Sequence, residues 1–124
     1  MDENDLIDLL RRYAELPSAT EEGHEVAEQL GGMTFAIYGL LQFSSDSQVR
    51  VLAACALARL EGTEAVLPTL MEGLQSDEEA ISVAAIYGCR CLGPLAAPAV
   101  PRLTELLASD NDVVVHHAIQ VCRP

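Results

Sequence analysis

The chain contains no lysine and no tryptophan, and only five of its 124 residues are aromatic. A core built without large rings has to come from Leu, Val, Ile and Ala, which favours close helix packing over a β-sandwich. Its seven basic residues are all arginine and face 19 Asp and Glu, giving a formal net charge of -12. Such a surface repels phosphate backbones and anionic lipid, because contacts from Lys and Arg supply most non-specific nucleic-acid affinity. Neither a nucleic acid nor a membrane is therefore expected as a partner. The opening MDENDLIDLL is acidic where a targeting signal would be basic, and no apolar run is read as long enough to span a bilayer. A cytoplasmic location is expected.

The four cysteines (55, 89, 91, 122) lie inside apolar stretches and lack both the loop spacing of a disulfide framework and the CxxC pairs of a zinc site. They read as reduced core residues. A phosphate-cradling glycine loop, a serine nucleophile elbow and a paired catalytic carboxylate pattern are also missing, so no enzymatic activity and no cofactor are expected.

What the chain does have is a repeat. Ser45-Asp46, Ser76-Asp77 and Ser109-Asp110 are spaced by 31 and 33 residues, each between two stretches of helical period. The Asp is expected to cap the helix that follows. After each pair the same apolar register returns: Val49 and Ala53, Ile81 and Ala85, Val114 and Ala118. Leu57, Cys89 and Cys122 continue that stripe, as do Leu60 and Leu92. Before the pairs, Leu67, Leu70 and Leu74 align with Val100, Leu103 and Leu107, and Pro68 with Pro101. Proline in a first turn costs little, because its missing N–H would have no intrahelical partner there. Each unit is thus a helical hairpin. Helices are predicted near 4–16, 20–30, 33–44, 46–61, 64–75, 78–92, 97–108 and 111–122, with breaks at Pro17-Ser18, Gly31-Gly32, Gly62 and Gly93-Pro94.

The stretch VRVLAACALARLEGTEAVLPTLMEGLQSD resembles a HEAT repeat of the short bacterial type first noted in phycobilisome lyases, through Val49-Arg50, Ala53-Ala54, Ala56-Leu57, Leu60, Gly62, Ala65-Val66, Pro68 and Leu70. The resemblance implies an all-α, right-handed α-α superhelix of about four antiparallel hairpins (about 4–30, 33–61, 64–92 and 97–122) in one domain. The second unit has Ser82 and the third Val115 where the first has Arg50, so an arginine ladder along the array is not maintained. Stacked repeats need polar outer faces at their ends. Nine carboxylates among residues 1–28 meet that need at the start. At the other end Val113, Val114, Val115, Ile119 and Val121 predict an exposed apolar strip, suited to self-association through the C-terminal hairpin or to a continuing array.

The resemblance also implies that the second helix of each hairpin lines the concave side. Arg50, Cys55, Arg59, Ile86, Tyr87, Arg90, His116, Ile119, Gln120 and Arg123 fall outside the buried stripe and form the expected contact surface. Within it, Arg50, Arg59, Tyr87, Arg90, His116 and Arg123 are the candidate protein-binding residues. Arginine pairs carboxylates bidentately and tyrosine anchors interfaces, so an acidic peptide is the expected guest. The competing reading is that arginines near helix C-termini, and Asp77, Glu78, Glu79, Asp110 and Asp112 near N-termini, merely complement the helix dipoles.

His24-Glu25 resembles one dyad of the HEAT-like deoxyhypusine hydroxylases, which bind iron through several such dyads. A single dyad does not make that site. His116 and His117 are adjacent on a helix and diverge by about 100°, so no metal is expected; His117, aligned with Leu52, reads as a core residue and His116 as exposed. Cys89 and Cys91 diverge by about 200°. A non-catalytic protein-interaction module is the leading function. A bilin-lyase-like protein and an acidic antagonist of a basic partner are the alternatives.

Overall fold

A computed structural model describes residues 2–15 and 20–122, the side chain of Cys122 excepted. The break expected at Pro17-Ser18 and the candidate Arg123 lie outside the described residues. Helix α1 spans Glu3–Glu15, α2 Glu21–Gly31, α3 Thr34–Phe43, α4 Ser47–Leu60, α5 Leu67–Gly73, α6 Glu79–Leu92, α7 Val100–Leu106 and α8 Asp112–Cys122. No strand occurs among the described residues.

Two layers organise the chain. Helices α4, α6 and α8 lie side by side, and α3, α5 and α7 each pack against members of that row. The stripe expected from the repeat forms its core: Val49, Ile81 and Val114, and likewise Ala53, Ala85 and Ala118, are all buried. Small buried alanines in α4, α6 and α8 keep the backbones close, and Gly73 brings α5 closer still. A Cβ added at Gly73 would come within 2.7 Å of Val51 Cγ1 and 2.9 Å of Ala85 Cβ.

Helix α4 is enclosed by α1, α3, α5 and α6, and every residue from Val51 to Ala58 is buried. It can be apolar nearly all round because no face of it meets water. That burial exposes a departure from the expected stacking. In the first pair it is α1, rather than the second helix α2, that packs against α4, with Leu6, Leu10 and Tyr13 buried. Helix α2 leans mainly on α1, through Val26 and Leu30 and an Arg12–Glu22 ion pair.

The repeat is also set by a different residue from the one expected. Asp46 does cap α4, its carboxylate accepting from the Gln48 N–H at 2.9 Å. Neither Asp77 nor Asp110 does the same. Glu78 precedes α6 without a side-chain cap, and Asn111 Oδ1 accepts from the N–H groups of Val113 and Val114 at the start of α8. The shared device is a serine two residues earlier, whose Oγ accepts the N–H of the residue that opens each helix: Ser44 for Asp46 (3.2 Å), Ser76 for Glu78 (3.1 Å) and Ser109 for Asn111 (3.1 Å). Ser44, not Ser45, is therefore the equivalent of Ser76 and Ser109. This local bond offers the backbone a turn where a helix would otherwise run on. Replacing Asp46 by Ala is expected to cost about 1 kcal/mol of unfolding free energy in urea titration, whereas Asp77→Ala should cost nothing measurable.

Where prolines crowd, the helix period tightens. Glu64–Val66 and Gly93–Ala99 form 3-10 turns ahead of α5 and α7. Pro94, Pro98 and Pro101 each lack an N–H, so regular α-helix begins only at Val100 rather than near residue 97. The expectation of no bilayer-length apolar run also needs correction. Glu79–Leu106 is a 28-residue succession of helical segments with a mean hydropathy of 1.4 over its most apolar window. It is however broken at Gly93, where φ is 59°, and half of that window is buried in the fold.

At the last helix, Val113 and Ile119 are exposed, Val114 is buried, and Val115 and Val121 are half-buried. The two exposed side chains lie six residues apart and project about 120° from each other on α8, so no continuous strip forms among the described residues.

Candidate functional site

A groove of about 440 Å³ runs between α1 and the α6–α8 surface. Its floor is apolar. Leu52 of α4 and Ile81 of α6 lie beneath, Ala80, Val83 and Tyr87 form one helical face at i, i+3 and i+7, and Ala14 of α1 closes the opposite side. Arg11 and Glu15 stand on the α1 bank, Arg90 and His117 on the other.

The α1 bank is fixed by a stack of three side chains. The Arg59 guanidinium lies 3.7 Å from the centroid of the Tyr13 ring and 4.5 Å from that of Tyr87, so one arginine ties α1, α4 and α6 together. It also donates to the main-chain carbonyl oxygen of Tyr13. A guanidinium between two ring faces gains electrostatic energy from both, more when water is excluded. Burial raises the Tyr13 phenol above its ordinary pKa, against the opposing pull of Arg59. The Tyr13 phenol therefore keeps its proton near neutral pH.

The far bank is a hydrogen-bonded row. Arg90 Nη1 donates to Gln120 Oε1 at 3.1 Å, and Gln120 Nε2 lies 3.0 Å from His116 Nε2. His117 is half-buried, and its pKa is lowered by that burial, then by the neighbouring His116 and Arg90. Its imidazole is accordingly neutral at pH 7, and the positive charge at the groove comes from Arg11 and Arg90.

The expected contact residues separate into groups. Tyr87 and Arg90 line the groove, and His116 adjoins it through Gln120. Arg59 is in place but half-buried, serving the wall rather than the opening. Arg50 turns the other way, toward α5. It donates to the Ser44 carbonyl oxygen at 2.7 Å and pairs with Glu72 at 3.1 Å. Two further expectations are corrected: Cys55 and Ile86 are each only 1% exposed and cannot contact a partner. Cys55 is buried because α1 packs onto α4, and its thiol is pushed up to about 12 by loss of solvent. Cys89 is a buried core thiol as read, raised to about 11 by the same cause, but Cys91 is exposed. His117 is a groove wall rather than a core residue. Arg11, Ala14 and Glu15, which the repeat pattern could not place, complete the groove because α1 and not α2 packs on α4.

Among the described residues no three His, Cys, Asp or Glu side chains converge as a metal site would require. His24 and Glu25 both lie at exposed positions of α2.

Paired antiparallel helices stacked in two layers define an α-solenoid, a class in which each repeat buries its apolar face against its neighbours. The family described as HEAT repeats matches residues 35–123, and the chain belongs to it. The match begins in α3, so α1 and α2 lie outside it. Neither the curated proteins nor the solved structures contain a match to this chain.

Proposed function

We propose that the chain is a non-catalytic protein-interaction module whose groove between α1 and α6–α8 holds a peptide segment bearing a carboxylate and an apolar anchor. HEAT repeats commonly serve as interaction scaffolds. The observation that carries the finer reading is the placement of Arg11 and Arg90 on opposite banks of an apolar floor, with Tyr87 between them. Arginines in that setting pair a carboxylate through two parallel N–H donors, and the floor excludes the water that would weaken the pair.

The thiols agree with a binding role. Cys55 and Cys89 are buried and hold their protons well above neutral pH, the opposite of a nucleophilic cysteine. A cytoplasmic setting suits these reduced side chains, and a net charge of -12 disfavours nucleic acid as the partner. Self-association through α8 would rest on Val113 and Ile119 alone, a small contact by the standards of stable interfaces.

The test is a selection of 12-residue peptides from a random library on the chain, followed by anisotropy titration of the enriched sequences. Enriched peptides should carry Asp, Glu or a free C-terminal carboxylate beside a bulky apolar residue. Arg11→Glu with Arg90→Glu should weaken them at least tenfold, about 1.4 kcal/mol or more. Peptides without acidic residues, or affinities unchanged by the two reversals, would remove the groove as the site.

A further inference from the structure

The outer face of α3 carries the two most exposed large apolar side chains among the described residues. Ile37 and Leu40 pack inward, whereas Phe35 is 92% exposed and Phe43 83% exposed. Ala36 is also exposed and Gly39 half-exposed, so the outward side of TFAIYGLLQF is apolar apart from Gln42. The outer side of the α5 helix shows Glu72, and that of α7 shows Thr104 and Glu105 beside Val100 and Leu107, which are exposed only to 49% and 38%. Two of the chain's five aromatic rings are thus held in water on one helix.

The face is also hollow. A cavity of about 460 Å³ lies between the start of α1 and α3, walled by Leu6, Met33, Gly39, Leu40 and Phe43. A Cβ built on Gly39 would meet nothing within 4 Å, which leaves room there for a side chain from outside. Phe35 and Phe43 are eight residues apart, about 12 Å along the helix axis, or roughly two turns of a guest helix.

We propose that this face docks an amphipathic helix of another protein, one whose apolar stripe is flanked by lysine or arginine. The helical form follows from the backbone. The amides of α3 bond within their own helix, so an extended strand would find no edge to pair with, whereas side chains spaced by two turns can interlock with a guest helix. The basic flank follows from charge. Asp2 and Glu3 stand at the mouth of the cavity, and Asp46 follows two residues after Ser44, another of its lining residues. One guanidinium comes near, that of Arg50 on the Ser44 carbonyl oxygen, but Glu72 already pairs with it. A second copy of the chain on the same face would set these carboxylates against their own kind in a molecule of net charge -12, which opposes a symmetric dimer.

The inference stands apart from the groove and is tested separately. Two labelled 18-residue helical peptides serve as probes, identical in their leucine stripe and differing in Lys or Glu at every other position. They are titrated against the 124-residue chain at 150 mM salt. The Leu/Lys peptide should bind at one site and the Leu/Glu peptide at least tenfold more weakly. Phe35→Ser with Phe43→Ser should weaken the Leu/Lys peptide at least tenfold without lowering the Tm, since both rings are already in water. Gly39→Leu should weaken it similarly with an equal or higher Tm, because it fills the hollow and removes a helical glycine. Arg11→Glu with Arg90→Glu should leave this binding unaltered. Equal affinity in the two-serine variant would overturn the proposal, as would equal affinity for the two peptides. So would a dimer, or attachment to phosphatidylcholine vesicles, that depends on Phe35 and Phe43.

Discussion

Raising the pH from 9 to 11 should remove about 4 kcal/mol of stability from this protein through two buried thiols. Cys55 holds its proton to about 12 and Cys89 to about 11 in the folded chain, against an ordinary value of 9.0. Across that window the unfolded chain binds fewer protons than the folded one, so unfolding free energy falls as pH rises. The contribution is complete below pH 9 and declines by about 1.4 kcal/mol per pH unit for each thiol. A loss of that size approaches the whole stability of a small domain, roughly 5–15 kcal/mol. Tyr13, raised mainly by burial, acts in the same direction at somewhat higher pH. The measurement is unusually clean because the chain has no lysine to titrate in the same range. Urea titrations at pH 8, 9, 10 and 10.8 should show a steep fall in the parent and a much shallower one in the Cys55→Ala, Cys89→Ala variant, whatever its starting stability. Equal slopes in the two proteins would show that these thiols are not the cause.

Gly73→Val should destabilise the fold by about 3 kcal/mol, while Gly88→Ala should change it by less than about 1 kcal/mol. Both glycines sit in helices and both touch a neighbour closely. They differ in what they touch. At Gly73 the nearest atoms are Val51 Cγ1 and Ala85 Cβ, at 2.7 and 2.9 Å, a branched side chain and a methyl that cannot turn aside. At Gly88 the nearest atoms belong to the far end of Leu70, at 2.7 and 3.0 Å, which has other rotamers. Removing a glycine from a helix gains at most about 1 kcal/mol in propensity, so overpacking decides the sign at position 73 and near cancellation is expected at 88. Thermal melts of the two variants give the comparison directly.

The sequence was most legible where the helix period repeats. Val49, Ile81 and Val114 share one environment because each opens the buried stripe of its helix, and their spacing alone predicted it. The caps were less legible. Ser45-Asp46 looks like Ser76-Asp77, yet Ser44 makes the equivalent bond, and only the 32-residue step from Val49 to Ile81 carried that shift. Position in the stack was not legible at all for α1. Its acidic, amphipathic sequence suits a capping helix of either kind, and whether α1 or α2 meets α4 depends on tertiary packing. That choice buried Cys55, made Arg59 a wall rather than a contact, and brought Arg11 and Glu15 to the groove. The outer face of α3 was hidden for the opposite reason: with apolar residues on nearly every side, 34–43 has no polar stripe to mark which side meets water.

The packing of α1 on α4 also sets an order of events. Contacts within the stacked hairpins join residues close in the chain, but the hydrogen bond from Arg59 to Tyr13 spans 46 positions. As the chain leaves the ribosome, α1 emerges early and has nothing to dock on until α4 follows. The hairpins from α3 onward can form as they appear, each against the one before. The earlier-made helix is then the later to find its place, and the nine carboxylates within residues 1–28 keep it solvated while it waits.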